Sequence, residues 1–232
     1  MNNVIQTETL SRYFGESSKE ADTLVKALDK VSIEIKQGEF SAIVGPSGSG
    51  KSTLLHLIGG LDTPDEGSVL LAGTQISEMS SAELCRYRRD NIGFIFQAYN
   101  LIPVLSAAEN IEYIMLLQGI DEQERRKRTI EILQQVGLSD KENRRPNQLS
   151  GGQQQRVAVA RAMVSQPKII LADEPTANLD SQTGIELLTM MKKLNQEQGM
   201  TFLFSTHDPK IMERASRIIY LEDGKVVKDE TR

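Results

Sequence analysis

The sequence predicts an α/β fold carrying an inserted helical segment, on three observations. A strand-like run, Phe40-Ser41-Ala42-Ile43-Val44, leads into a glycine-rich loop and then into the apolar helical run Leu54 to Ile58. Two short apolar runs, Ile169-Ile170-Leu171-Ala172 and Thr201-Phe202-Leu203-Phe204-Ser205, have the form of strands buried on both faces of a parallel sheet. Between these groups, from about Gln97 to Pro167, the texture turns helical, with apolar Ile111, Ile114, Met115 and Leu117.

Each remaining element follows from its local pattern. Val31, Ile33 and Ile35 alternate with Ser32, Glu34 and Lys36, as in a strand with one wet face, and Gly38-Glu39 turns this strand into the next. The first helix should stop at Gly59-Gly60, and Pro64-Asp65-Glu66-Gly67 should turn the chain into a strand from Ser68 to Ala72. The charged stretch from Asp121 to Arg128 offers Asp121/Arg125, Glu122/Arg126 and Glu124/Arg128 four apart with the acid first, which predicts an exposed, solvated helix face. Asp223-Gly224 between Ile218-Ile219-Tyr220-Leu221 and Val226-Val227 is a strong hairpin signal. The run Gly15 to Thr23 is polar enough for a surface loop.

Length and composition set the outer bounds. A chain of 232 residues suits one sizeable core with a smaller lobe. Hydrophobic residues at 39% and charged ones at 25% fit a soluble globule, and a formal charge of -5 gives no general attraction for nucleic acid. Met1-Asn2-Asn3-Val4 begins no secretory pattern, and no apolar run reaches the roughly 18 residues that span a bilayer, so a cytoplasmic chain is expected. Cys85 is the single cysteine, which excludes an intrachain disulfide or a cysteine-built zinc site.

The chemistry concentrates in a few motifs. Gly45-Pro46-Ser47-Gly48-Ser49-Gly50-Lys51-Ser52-Thr53 fits the phosphate-loop pattern. Glycines let successive N–H groups converge on phosphate oxygens, Lys51 neutralises the outer phosphates, and the Ser52 hydroxyl is placed to ligate Mg²⁺. The helix that follows turns its positive end to the same anion. Asp173 and Glu174 close an apolar strand, where α/β sheets put ligands: Asp173 can hold Mg²⁺ through water and Glu174 can take a proton from an attacking water. Leu149-Ser150-Gly151-Gly152-Gln153 opens a second predicted helix, Gln154 to Ser165, and offers another anion site. One ATP should not need two.

With that motif the sequence resembles the ATP-binding cassette (ABC) family, whose signature is Leu-Ser-Gly-Gly-Gln. The resemblance runs from about Val4 to Lys228, with the motifs in the family's order. It implies a P-loop NTPase with a RecA-like core, an N-terminal antiparallel β subdomain and an inserted α-helical subdomain. On this division one nucleotide-binding domain fills 1–232, with about 1–96 and 168–232 as core and about 97–167 as the helical part carrying the signature. It further implies that two copies pair head to tail, each ATP lying between the phosphate loop of one and Leu149, Ser150, Gly151, Gly152 and Gln153 of the other. Gln97 resembles the glutamine that senses Mg²⁺ and the water, His207 the switch histidine on the γ-phosphate, and Asp180 the loop linking the two sites. Tyr13 matches the aromatic that stacks on adenine, with Phe14 adjacent and core packing the alternative for either. The length of the loop from Gly15 to Thr23 departs from many cassettes and bears on that alignment.

Phe96 to Pro103 together with Leu149 to Arg156 look most like the lipoprotein-release and macrolide-export branch. The resemblance then implies an ATPase on the cytoplasmic face of a membrane, driving a separate permease that docks near Gln97, Tyr99, Leu101 and Ile102; ordinary core packing is the competing reading of the last three. Soluble ABC ATPases of DNA repair or translation are the alternative, but they carry long coiled coils or two fused cassettes, and each motif occurs once here. A GTPase or small-molecule kinase would share only the phosphate loop, and a non-catalytic scaffold would have lost Glu174.

Overall fold

The computed structural model describes residues 3–15 and 24–232. In chain order the elements are β1 (Asn3–Phe14), β2 (Val25–Val31), β3 (Glu34–Lys36), β4 (Phe40–Val44), α1 (Lys51–Ile58), β5 (Glu66–Leu71), β6 (Thr74–Gln75), α2 (Ser81–Asn91) and β7 (Ile92–Ile95). There follow α3 (Ala107–Leu117), α4 (Glu122–Gln135), α5 (Gly151–Met163), β8 (Ile169–Asp173), α6 (Ser181–Gln198), β9 (Phe202–Thr206), α7 (Pro209–Arg214), β10 (Arg217–Glu222) and β11 (Lys225–Thr231). A short 3₁₀ turn, Pro146–Gln148, precedes α5.

The strands form two sheets. One runs β11-β10-β4-β9-β8-β7 and is parallel except for the β10–β11 hairpin. The other is antiparallel, β2-β1-β5-β6 with β3 also on β1. Strand periodicity assigns each face of the parallel sheet. Phe40, Ala42, Val44, Ile170, Ala172, Phe202, Phe204 and Ile218 pack into a core shared with α3, α4, α5, α6 and α7. Ile43, Ile169, Leu171, Leu203, Ile219 and Leu221 point the opposite way, against Leu54, Leu55, Leu57 and Ile58 of α1 and the antiparallel sheet. Both faces are dry, which is why these strands read as unbroken apolar runs.

Local differences from the sequence reading have physical causes. The alternation from Val31 to Ile35 is divided between β2 and β3. At the break the Ser32 hydroxyl accepts the Thr9 N–H at 2.9 Å and Ile33 exchanges hydrogen bonds with Thr7 instead. Helical structure does not resume at Gln97 but at Ala107, where Ser106 and Glu109 form a capping box. Of the three anticipated pairs on α4 only Glu124–Arg128 closes, at 2.6 Å; Asp121 and Arg125 stay apart because Asp121 is used as the N-cap and Arg125 donates to the Ile120 carbonyl. Asp223 and Gly224, with φ of 47° and 75°, make the two-residue hairpin turn as read. Gly15 is the one described residue of the long polar loop; the rest of it lies outside the described residues.

Candidate functional site

Four parallel strands deliver the candidate residues to one edge. The carboxyl ends of β4, β7, β8 and β9 lead to Gly45, Gln97, Glu174 and His207, and the register Val44↔Thr206, Asp173↔Ser205 and Ile95↔Ala172 aligns those ends. This is the ligand edge of an open α/β sheet.

The loop 45–50 runs into α1, with Gly50 as its N-cap at φ 99°. A Cβ at Gly50 would stand 2.3 Å from the Ala27 carbonyl oxygen, so both backbone conformation and space require glycine. Lys51 folds back, its Nζ donating to the carbonyls of Gly45 at 2.9 Å and Pro46 at 2.8 Å. Ser49 is buried, and among the described residues its hydroxyl has no hydrogen-bond partner. Pro46, Ser47 and Gly48 complete the turn, and Thr53 lies in the first turn of α1. The C-terminal hairpin holds this loop from outside: the Gly224 N–H donates to the Ser49 carbonyl at 3.1 Å, and the Gly224 carbonyl accepts the Asp29 N–H at 2.9 Å.

Next to the loop, the Ser52 hydroxyl donates to Asp173 Oδ1 at 3.1 Å. A hydroxyl and a carboxylate are hard oxygen donors. No cluster of three or more His, Cys, Asp or Glu side chains occurs among the described residues. That donor set fits Mg²⁺, which is ordinarily held by one or two protein oxygens plus substrate phosphates rather than by an all-protein cage.

Glu174 adopts φ 45°, a left-handed conformation that costs a non-glycine residue about 1–3 kcal/mol and is held by its surroundings. Its N–H donates to the Ser205 carbonyl at 2.9 Å, Thr206 Oγ1 donates to Oε2 at 3.0 Å, and His207 Nδ1 lies 2.6 Å from Oε1. The carboxylate is therefore aimed by two side chains, while the His207 ring is mostly exposed. Such a group can accept a proton from a water placed beyond it.

Gln97 lies exposed in a strained turn. Tyr99 and Asn100 follow it at φ 40° and 51°, the Asn100 N–H folds onto the Ala98 carbonyl, and Asn178 Nδ2 donates to the Gln97 carbonyl at 2.8 Å. Burial raises the Tyr99 hydroxyl pKa above its ordinary value. Leu101 packs on the main core, and Tyr99 and Ile102 are half-buried. The exposed apolar side chains of this region are Val104, Tyr113, Leu116 and Leu117.

Ser150 is the N-cap of α5 and forms a capping box with Gln153, the Gln153 N–H reaching Ser150 Oγ at 3.3 Å and the Ser150 N–H reaching Gln153 Oε1 at 3.0 Å. The helix therefore begins at Gly151, earlier than its side-chain pattern suggests, and Leu149 before it is buried. Gly152 packs directly on α6: a Cβ there would meet Thr183 Cγ2 at 2.4 Å. Asp180 caps α6 and accepts from the Thr183 hydroxyl at 2.6 Å, the main reason its carboxyl pKa lies below the ordinary value. The hydrogen bonds between Ser150 and Gln153 stay within their own turn.

Tyr13 is half-buried beside Lys26, whose Nζ is 5.8 Å from the ring centroid. Lys26 precedes Ala27, the residue against Gly50, so β1 and β2 carry Tyr13 to the flank of the phosphate loop. Phe14 is exposed and lies under the Arg12 guanidinium.

Sequence reasoning missed Thr206, Asn178, Thr183, Arg161 and the hydrogen bond of Gly224 to the phosphate loop. Thr206 was open to detection as the residue between a buried strand and His207. The other four act through backbone carbonyls or close packing, which leave no pattern in one sequence.

The model for the ABC transporter family matches residues 28–177. An uncharacterized ABC transporter ATP-binding protein of Methanocaldococcus jannaschii, MJ0796, is 49% identical over 216 residues, covering 91% of this chain and 92% of that protein. The macrolide export ATP-binding/permease protein MacB of Hyphomonas neptunium is 46% identical over 226 residues, 97% of this chain but 34% of the relative, so the chain spans about a third of that protein. A dimeric structure of a post-hydrolysis state of the cassette MJ0796, bound to ADP and Pi, matches with a TM-score of 0.88 at 44% identity, covering 98% of each chain. The glycine loop, the paired acids and the second glycine-led helix thus sit on a fold shared along the whole chain, and the protein belongs to the ABC transporter family as an ATP-binding, ATP-hydrolysing cassette.

Proposed function

We propose that two copies of this chain close head to tail on ATP and drive a membrane permease of the lipoprotein-release or macrolide-export type. The observation that carries the reading is the gathering of Ser52 with Asp173, and of Glu174 with Thr206 and His207, at one end of the parallel sheet. The N-terminus of α5 supplies the second anion site, for the nucleotide of the partner copy. MJ0796, similar over the whole chain, has been solved as a dimer, once with ADP and Pi.

In this reading N–H groups of 45–53 bind the phosphates and Lys51 leaves its two carbonyls for the outer phosphates. Glu174 takes a proton from water as the water oxygen bonds to the γ-phosphorus and the bridging bond to ADP breaks. His207 and Lys51 hold the developing charge. Ser52, Asp173 and Gln97 would hold Mg²⁺, which when bound supplies neutralisation of the outer phosphates. Tyr13 stacks on adenine, and Asp180 with Ser150 to Gln153 completes the site in trans.

Among the described residues no helix is long and apolar enough to cross a membrane, and the MacB relative joins ATP-binding and permease functions in one chain. In this reading the permease is a separate partner that holds the cassette on the cytoplasmic face of the membrane. Docking centres on the turn after Gln97, with Tyr99 and Ile102 half-exposed and Val104, Tyr113, Leu116 and Leu117 offering apolar surface; Leu101 serves the core more than the interface.

Glu174→Gln tests the mechanism. Turnover should fall at least about 10²-fold, as for loss of a general base, while ATP binding persists and an ATP-bound dimer accumulates on size-exclusion chromatography. Near-parental turnover would remove Glu174 from the mechanism.

A further inference from the structure

Arg161 is a half-buried cation on α5 that no catalytic role uses. Its two terminal nitrogens donate to carbonyls of adjacent residues, Asn100 at 2.5 Å and Tyr99 at 2.9 Å. These are the two left-handed residues that follow Gln97 and Ala98. Burial shifts the guanidinium pKa downward, and the two carbonyls are its hydrogen-bond partners among the described residues. A planar fork with parallel N–H groups suits two neighbouring carbonyls, and a single ammonium would not reproduce it.

The same loop meets α5 at a second point. A Cβ added at Gly151 would stand 2.9 Å from the Tyr99 hydroxyl oxygen, so the phenol lies against the first turn of the helix. Arg161 is almost three turns further along, about 15 Å at 1.5 Å per residue. The turn carrying Gln97 thus meets α5 at two points, hydrogen-bonded at Arg161 and in close approach at Gly151, and α5 opens with Ser150, Gly151 and Gly152.

We propose that Arg161 is a positioning residue for Gln97: its guanidinium fastens the 97–100 turn to α5 and so fixes where Gln97 stands at the end of β7. The inference rests on the reading of Gln97 as a site residue.

The test is a double-mutant cycle in the full chain with Arg161→Ala, Gln97→Ala and the double variant, together with Arg161→Lys. If Arg161 acts by placing Gln97, Arg161→Ala lowers kcat about 10- to 100-fold, the scale of a roughly 1 Å misplacement, and leaves the Kd for ATP within about twofold. The double variant is then no slower than Gln97→Ala alone, and Arg161→Lys, which keeps the charge and the packing stem, falls between parent and Arg161→Ala. A double variant showing the product of the two single losses overturns the proposal, as does unchanged kcat in Arg161→Ala when Gln97→Ala is slow. Parental turnover in Gln97→Ala instead overturns the reading of Gln97 and the proposal with it. Should Arg161→Ala fail to fold, the cycle is closed with Arg161→Lys, where additivity with Gln97→Ala is the overturning result.

Discussion

Thr206→Val isolates the aiming of Glu174 from its chemistry. The Thr206 hydroxyl is fully buried, donates to Glu174 Oε2 at 3.0 Å and accepts the Asp208 N–H at 3.0 Å. Valine keeps the shape and removes both bonds. A hydrogen bond to a charged group contributes about 1.5–3 kcal/mol, and stranding the Asp208 N–H costs about 1 kcal/mol more, for a total near ~3 kcal/mol. With 232 residues the unfolding entropy is about 0.5 kcal/mol per degree, so Tm should fall by about 6 °C. Only His207 then orients the carboxylate, and kcat should drop about 10-fold while ATP affinity holds. Thermal melts, nucleotide titration and phosphate release measure the three quantities. An unchanged Tm with parental turnover would show that the hydroxyl does not orient Glu174.

Other substitutions probe the remaining contacts. Gly152→Ala drives a methyl to 2.4 Å from Thr183 Cγ2 and should lower turnover without loss of nucleotide binding by a single chain; Thr183→Ser, which lacks that methyl, should restore it, and a lack of rescue would place the defect elsewhere. Tyr13→Ala should weaken ATP binding about 10-fold, as for loss of one aromatic stack, with Phe14→Ala near parental by calorimetric titration; the reverse ranking would move the adenine contact to Phe14. Burial raises the Glu112 carboxyl pKa, so its charged form destabilises the fold, fully so above the folded-state pKa and not at all below the unfolded one. Glu112→Gln should therefore raise Tm at pH 7, with the gain vanishing as pH falls through the carboxylate range; a gain that persists in acid would refute burial as the cause.

The parallel sheet was legible because its strands are buried on both faces, so Ile169 to Ala172 and Phe202 to Phe204 needed no neighbour to be recognised. The glycine loop was legible because phosphate binding constrains residue type at fixed spacing. Boundaries set by capping were less so: α5 begins at Gly151 because the Ser150 and Gln153 side chains close its first turn, whereas glycine alone argues against helix. The pairing of Asp121 with Arg125 failed because spacing cannot tell a partner from a cap. Arg161 was invisible for a deeper reason: its partners are carbonyls, present at every residue, and only the folded turn after Gln97 presents two of them side by side.

The order of strands has a consequence for how the molecule is made. The strand that leads into the glycine loop, β4, is hydrogen-bonded on one side to β9 and on the other to β10, both near the C-terminus, and the loop itself is latched by Gly224. During synthesis β4 emerges early and then waits, both of its edges unpaired, while most of the chain is still to come. Exposed apolar strand edges invite association with other chains. A nascent copy should therefore acquire nucleotide affinity in a single step once β9 and β10 have left the ribosome, and truncation ahead of β9 should leave an aggregation-prone fragment rather than a weaker ATP binder.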